Sequence, residues 1–104
     1  MSKRRFDPKD PAEKWPLTFD FTVDLPSGVT LAGITSVTFE TVLGVDASPA
    51  NLANGPAALD ATAKKVIVPV KGGLDGCDYK ISVLTTSSDP LLAPELDGIL
   101  PVRA

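Results

Sequence analysis

The stretch that decides the fold is Cys77-Asp78-Tyr79-Lys80-Ile81-Ser82-Val83, in which apolar and polar residues alternate without a break. Cys77, Tyr79, Ile81 and Val83 share one parity, and Asp78, Lys80 and Ser82 take the other. Successive side chains of a strand point to opposite faces, so the pattern predicts a strand over residues 77–86 with one face on a core and the other in water. Gly72, Gly73 and Gly76 form the turn before it, and Ser87-Ser88-Asp89-Pro90 the turn after it. A last strand is expected over residues 96–102.

The same period of two appears nearer the N-terminus. Leu17, Phe19, Phe21 and Val23 alternate with Thr18, Asp20, Thr22 and Asp24, which predicts a half-buried strand closed by a Pro26-Ser27-Gly28 turn. In the β-branched stretch 29–43, Val37, Phe39 and Leu43 line one face with Thr41 among them. Gly33 is expected to divide that stretch into a short strand and a longer one. Residues 44–56 interrupt the pattern, and Ser48, Pro49 and Gly55 read as the cap, first residue and closing glycine of one helical turn. Residues 57–60 and 64–70 read as two strands joined by a tight turn. A short helix over 57–65 is the alternative, because alanine is the best helix former. Pro69 cannot donate to a ladder, so its strand is expected at a sheet edge. Seven or so short strands, with turn signals every eight to twelve residues, predict an all-β chain folded as an antiparallel β-sandwich over residues 17–104.

Composition narrows the function. The chain has 104 residues, room for one domain and one core. A net charge of −3 argues against nucleic acid as a partner, since phosphate contacts need clustered Lys and Arg. Histidine is absent, which removes the commonest general base and the commonest nitrogen metal ligand. Cys77 is the single cysteine, so no disulfide can form within one chain. No apolar run approaches the roughly 20 residues of a spanning helix, and the basic opening Met1-Ser2-Lys3-Arg4-Arg5 is not followed by an apolar segment. No membrane contact and a cytoplasmic site of synthesis and assembly are the expectation.

No motif selects an enzyme, a cofactor or a small-molecule substrate. The glycines at 72, 73 and 76 open a strand, whereas a phosphate-binding loop opens a helix. Asp75, Asp78, Asp89 and Asp97 have no calcium-loop spacing and read as solvated turn acids. Cys77 lacks an activating base and falls on the parity of Tyr79 and Ile81, which makes it a buried structural thiol. Tyr79 is core, with a hydroxyl suited to anchoring nearby backbone.

Residues 1–16 stand apart. They carry Lys3, Arg4, Arg5, Lys9 and Lys14 against Asp7, Asp10 and Glu13, while the remainder has five basic and ten acidic groups. Pro8, Pro11 and Pro16 favour an extended arm over a helix or strand. Phe6 and Trp15 are the aromatics that no strand parity places in the core. They are expected to anchor the arm, either to its own sandwich or to a neighbouring subunit. With the basic Arg4 and Arg5 they form the candidate protein-interface set.

Two segments resemble a known family. Lys9-Asp10-Pro11-Ala12-Glu13, followed by Leu17-Thr18-Phe19-Asp20-Phe21 and Leu25-Pro26-Ser27-Gly28, is similar to the opening of small phage and prophage virion proteins of the fibre-to-tail adaptor type. Tyr79-Lys80-Ile81-Ser82-Val83 and the closing Ile99-Leu100-Pro101-Val102 resemble that family's last two strands. Val29-Thr30 departs from it, standing where the family tends to place an acid. The resemblance implies a single immunoglobulin-like sandwich and a non-enzymatic component of the virion, assembled in the host bacterial cytoplasm. The implied partners are tail, neck or fibre proteins or further copies of the chain, and no functional residue carries over. An autonomous sandwich module that binds a carbohydrate or protein ligand is the alternative.

Overall fold

A computed structural model describes the backbone of residues 2–104 and the side chains from Arg5 onward. Among the described residues there are seven strands: β1 (Ser2–Arg5), β2 (Lys14–Asp20), β3 (Leu31–Leu43), β4 (Ala58–Leu59), β5 (Lys65–Lys71), β6 (Asp78–Ser87) and β7 (Glu95–Pro101). They form a four-stranded sheet of order β1-β7-β6-β3 and a three-stranded sheet of order β2-β5-β4. Every pair is antiparallel except β1 with β7. The molecule is an all-β sandwich.

The alternation around Ile81 sets the core of β6. Tyr79, Ile81 and Val83 have no exposed surface, and Lys80 and Ser82 face outward. They meet Leu17 and Phe19 of β2 and Val66, Val68 and Val70 of β5, all buried between the sheets. Leu96 and Leu100 of β7 and Leu52 from the 3-10 turn Pro49–Leu52 complete the packing. That turn starts with a proline as expected, but Ser48 makes no side-chain cap. The residues 57–65 form no helix. β4 and β5 are joined by a turn in which Asp60 accepts the Thr62 hydroxyl and the N–H groups of Lys64 and Lys65.

Five expectations need correction. The strand through Leu17 ends at Asp20, whose carboxylate accepts the Thr22 N–H at 2.9 Å. The chain then curls into a 3-10 turn over Thr22–Asp24, so Phe21 is still buried while Val23 is 96% exposed. Gly33 does not divide β3, because a register irregularity between Leu31 and Gly33 absorbs it within one thirteen-residue strand. A third irregularity, between Thr41 and Leu43, turns Leu43 off the core face shared by Val37, Phe39 and Thr41. β5 is central in its sheet, not an edge. Pro69 is tolerated because its carbonyl accepts the Asn54 N–H, so its polar positions face past the end of the two-residue β4 and away from β2.

The fifth correction concerns residues 1–16. They are not an arm beside the sandwich but part of it, since β1 runs parallel to β7 with Ser2 opposite Leu96 and Arg5 opposite Ile99. Prolines 8 and 11 fall beyond β1, where no ladder needs their missing N–H. Pro16 lies inside β2 directly opposite Pro69, a position at which neither ring has to donate across the pair.

Candidate protein interface

The N-terminal strap is held along the whole of β7. The Phe6 N–H donates to Ile99 O at 2.8 Å, the Lys9 N–H to Pro101 O at 2.9 Å, and the Arg103 N–H to Lys9 O at 2.8 Å. The Phe6 ring meets Phe19 edge-on, with centroids 5.3 Å apart and planes at 73°. It lies over Gly98, where an added Cβ would collide with Phe6 Cε2 and stand 3.0 Å from Phe19 Cε2. Glycine is therefore required there by close approach.

The Lys9-Asp10-Pro11-Ala12-Glu13 motif is a turn that locks this strap. Lys9 is fully buried, and its Nζ donates to Gly72 O at 2.6 Å and Asp10 O at 2.9 Å. Burial lowers its pKa, and the charges of Glu13 and Asp10 work the other way. Asp10 accepts the Ala12 N–H, Glu13 accepts the Asp10 N–H, and the Glu13 N–H returns to Asp10 O. In the sequence Lys9 is one of the basic residues of the arm and opens the motif that carries the resemblance, and neither marks it as buried. Its burial follows from tertiary packing against the residue 72–73 turn, which no local pattern announces.

β1 and β2 lie at the same flank of the two sheets, and a groove follows the seam between them. One hollow of about 410 Å³ is lined by residues of the strap and β2 together with Lys65, including Arg5, Asp7, Thr18 and Asp20. An adjoining hollow of about 360 Å³ is lined by Phe6, Asp7, Trp15, Pro16 and Leu17. Phe6 and Trp15, both half-buried, are thus brought to one groove although Phe6 follows β1 and Trp15 lies in β2 of the other sheet. Trp15 is held there by β2, where it pairs with Val70. Arg5 borders the same groove, but its guanidinium reaches Asp78 Oδ2 at 3.4 Å, beside a shorter 2.7 Å ion pair from Arg103 to Asp78 Oδ1. The Arg4 backbone pairs opposite Gly98, and its side chain lies outside the described residues.

The aspartates weighed for calcium do not converge. Asp75 accepts the Ala104 N–H, Asp89 the Leu91 N–H, and Asp78 the two arginines. Asp78 and Asp97 are buried strand residues rather than solvated turn acids, a difference set by the strand boundaries. Among the described residues, no group of three or more potential ligands is placed to hold a metal.

At the pole beyond β6, the Tyr79 hydroxyl accepts the Leu74 N–H at 2.9 Å and donates to Asp46 Oδ2 at 2.7 Å. Burial and the Asp46 hydrogen bond push the Tyr79 pKa up, and the same bond holds the Asp46 carboxyl below its ordinary value. Cys77 is buried with its thiol 3.7 Å from Val45 O, and a Cβ at Gly44 would come within 2.7 Å of its sulfur. These contacts make the tyrosine and the thiol fixtures of the loops. No family model matches the chain, and neither a curated protein nor a solved structure matches it.

Proposed function

We propose that this chain is a non-enzymatic structural or adaptor protein of a phage or prophage particle, acting in tail, neck or fibre attachment. Its work is protein–protein assembly, inside the host bacterial cytoplasm first and in the virion afterwards. The observation that supports this best is the seam groove, where Phe6 and Trp15 flank Pro16 and Leu17 within a rim of charged residues. Aromatic side chains that are half-buried and held by strands meet a partner at little entropic cost, and such residues dominate interface energetics. The Lys9–Glu13 turn adds a second support. It is part of the segments that carry the resemblance to virion adaptors, and here it locks the strap that forms one wall of the groove.

The immunoglobulin-like reading of the sandwich belongs to the same proposal. The strand order, with β1 parallel beside the last strand, and the Tyr79 hydroxyl anchored to backbone five residues away both favour it. Mass spectrometry of particles purified from the bacterium that carries the gene tests the function. The chain is expected in fixed stoichiometry with tail, neck or fibre proteins, and its absence from intact particles would refute the proposal.

One observation favours the alternative of an autonomous binding module. Trp15 belongs to the rigid body rather than to an arm, in one hollow with the polar Asp7, an arrangement that can also receive a sugar ring. A glycan titration followed through Trp15 fluorescence separates the two readings. A saturable change with a defined saccharide supports the module, and a flat response supports assembly.

A further inference from the structure

The flank opposite the seam carries a different surface. The sheet orders put β1 with β2 on one side of the sandwich and β3 with β4 on the other. The four sheet edges differ in how they are defended. β1 is four residues with three of them basic, β2 contains Lys14 and Pro16, and β4 has two residues. β3 is thirteen residues long, with no proline, no lysine and Glu40 as its single charge. Beyond Leu31, whose N–H reaches Ala63 O, no backbone hydrogen bond outside the β3–β6 pair engages it among the described residues, although the Pro49–Leu52 turn and β4 lie close to it and the Thr41 hydroxyl reaches Asp46 O. Soluble proteins guard long edges with lysine, proline, bulges or cover, because an open edge is a template for another strand. Three irregularities interrupt β3, at Leu31/Gly33, Ile34/Ser36 and Thr41/Leu43, and between the last two the register is clean from Ser36 to Thr41.

We propose that this edge pairs with β3 of a second copy, antiparallel about a two-fold axis at Thr38, joining two four-stranded sheets into one. The side chains of the window choose that occupant. Val37 and Phe39 point to the core yet are only half-buried, because the sheet stops beside them. With the axis at Thr38, each Val37 lies beside the other copy's Phe39, an aromatic to β-branched pair of the kind that stabilises sheets, and the pair occurs twice. Ser36 and Thr38 face solvent on the opposite side with Glu40. The same axis sets each Glu40 against a Ser36 hydroxyl, whereas an axis at Glu40 would oppose two carboxylates. The window symmetric about Thr38 within that register, Ser36–Glu40, is five residues and roughly 17 Å long, which covers on the order of 250 Å² per copy, less than a standard specific interface. The dimer is therefore weak and concentration-dependent. This goes beyond the proposed function, since it uses the flank that the seam groove leaves free.

Sedimentation velocity of the full chain at low salt, taken from dilute solution to the millimolar range, tests the pairing. The wild-type protein is expected to shift from monomer to dimer. Thr38→Lys places two like charges on the axis and should weaken the dimer at least about tenfold. Ser36→Lys faces the other copy's Glu40 and should keep or tighten it. Thr38→Gln, a long neutral side chain at the same exposed position, should still dimerise, and thermal melts should show all variants folded. A wild-type monomer at the highest concentration overturns the proposal. A dimer that responds equally to the two lysine substitutions, or to neither, overturns it as well.

Discussion

Gly98→Ala tests whether the N-terminal strap belongs to the sandwich. The new methyl group would occupy the place of Phe6 Cε2 and press to 3.0 Å on Phe19, so the Phe6 ring has to leave its site. A half-buried phenylalanine removes roughly 100 Å² from water, so expelling it costs about 2–2.5 kcal/mol at 25 cal/mol per Å². Loss of the edge-to-face contact with Phe19 adds about 0.5–1.5 kcal/mol, and the lower chain entropy of alanine returns about 0.5–1 kcal/mol. The net expectation is a loss of about 2–3 kcal/mol. Urea unfolding followed through Trp15, the chain's single tryptophan, measures it. Phe6→Ala alone should cost a similar amount and remove the collision, leaving only Phe19 to yield slightly. The double variant should then be about 2 kcal/mol more stable than the sum of the single losses predicts. Additivity within about 0.5 kcal/mol would mean that Phe6 does not sit over Gly98, and the account of the strap would fail.

The other predictions concern the core, the buried polar groups and pH. Ile81→Ala should cost about 2–5 kcal/mol by chemical denaturation, since the side chain has no exposed surface. Lys80→Ala, whose contact is a 3.6 Å pair with an exposed Glu40, should stay within about 0.5 kcal/mol. Lys9→Ala should cost about 2–4 kcal/mol, because it leaves a cavity and the Gly72 carbonyl without its donor; amide exchange should then rise at Lys9 and Arg103. Tyr79 keeps its proton above the ordinary value of 10.0, so its stabilisation is complete below that pH and is lost as pH rises past it. Tyr79→Phe should cost about 1–3 kcal/mol at neutral pH and show a shallower alkaline decline in melting temperature than the wild type.

The strands were legible wherever one face meets the core and the other meets water. Tyr79, Ile81 and Val83 alternate with polar residues because β6 is half-buried, and the same holds for Leu17 and Phe19. The reading failed where local chemistry bends the chain, as at Asp20, whose carboxylate captures the Thr22 N–H and sends Val23 into solvent. It failed again where tertiary neighbours decide the cost of a residue. Pro69 signals an edge from its own chemistry, but β4 ends before it, and Asn54 of the preceding loop needs only its carbonyl on that side. The interface set shows both outcomes. Phe6 and Trp15, the aromatics outside the strand parities, come to one groove, yet proline content suggested an extended arm. Nothing local in residues 1–16 reveals that Gly98 leaves room for Phe6 or that Gly72 offers a carbonyl to Lys9.

The central claim is that the seam between β1 and β2 is where this chain meets another particle protein. Site-specific photo-cross-linking in assembled particles tests it most directly, with p-benzoylphenylalanine placed at Trp15 in the groove or at Leu91, which is 94% exposed at the pole of the sandwich. The account predicts a discrete adduct between the Trp15 probe and a tail, neck or fibre protein, and no such adduct from Leu91. An adduct from Leu91 alone, or particles in which the Trp15 probe captures nothing, would contradict it.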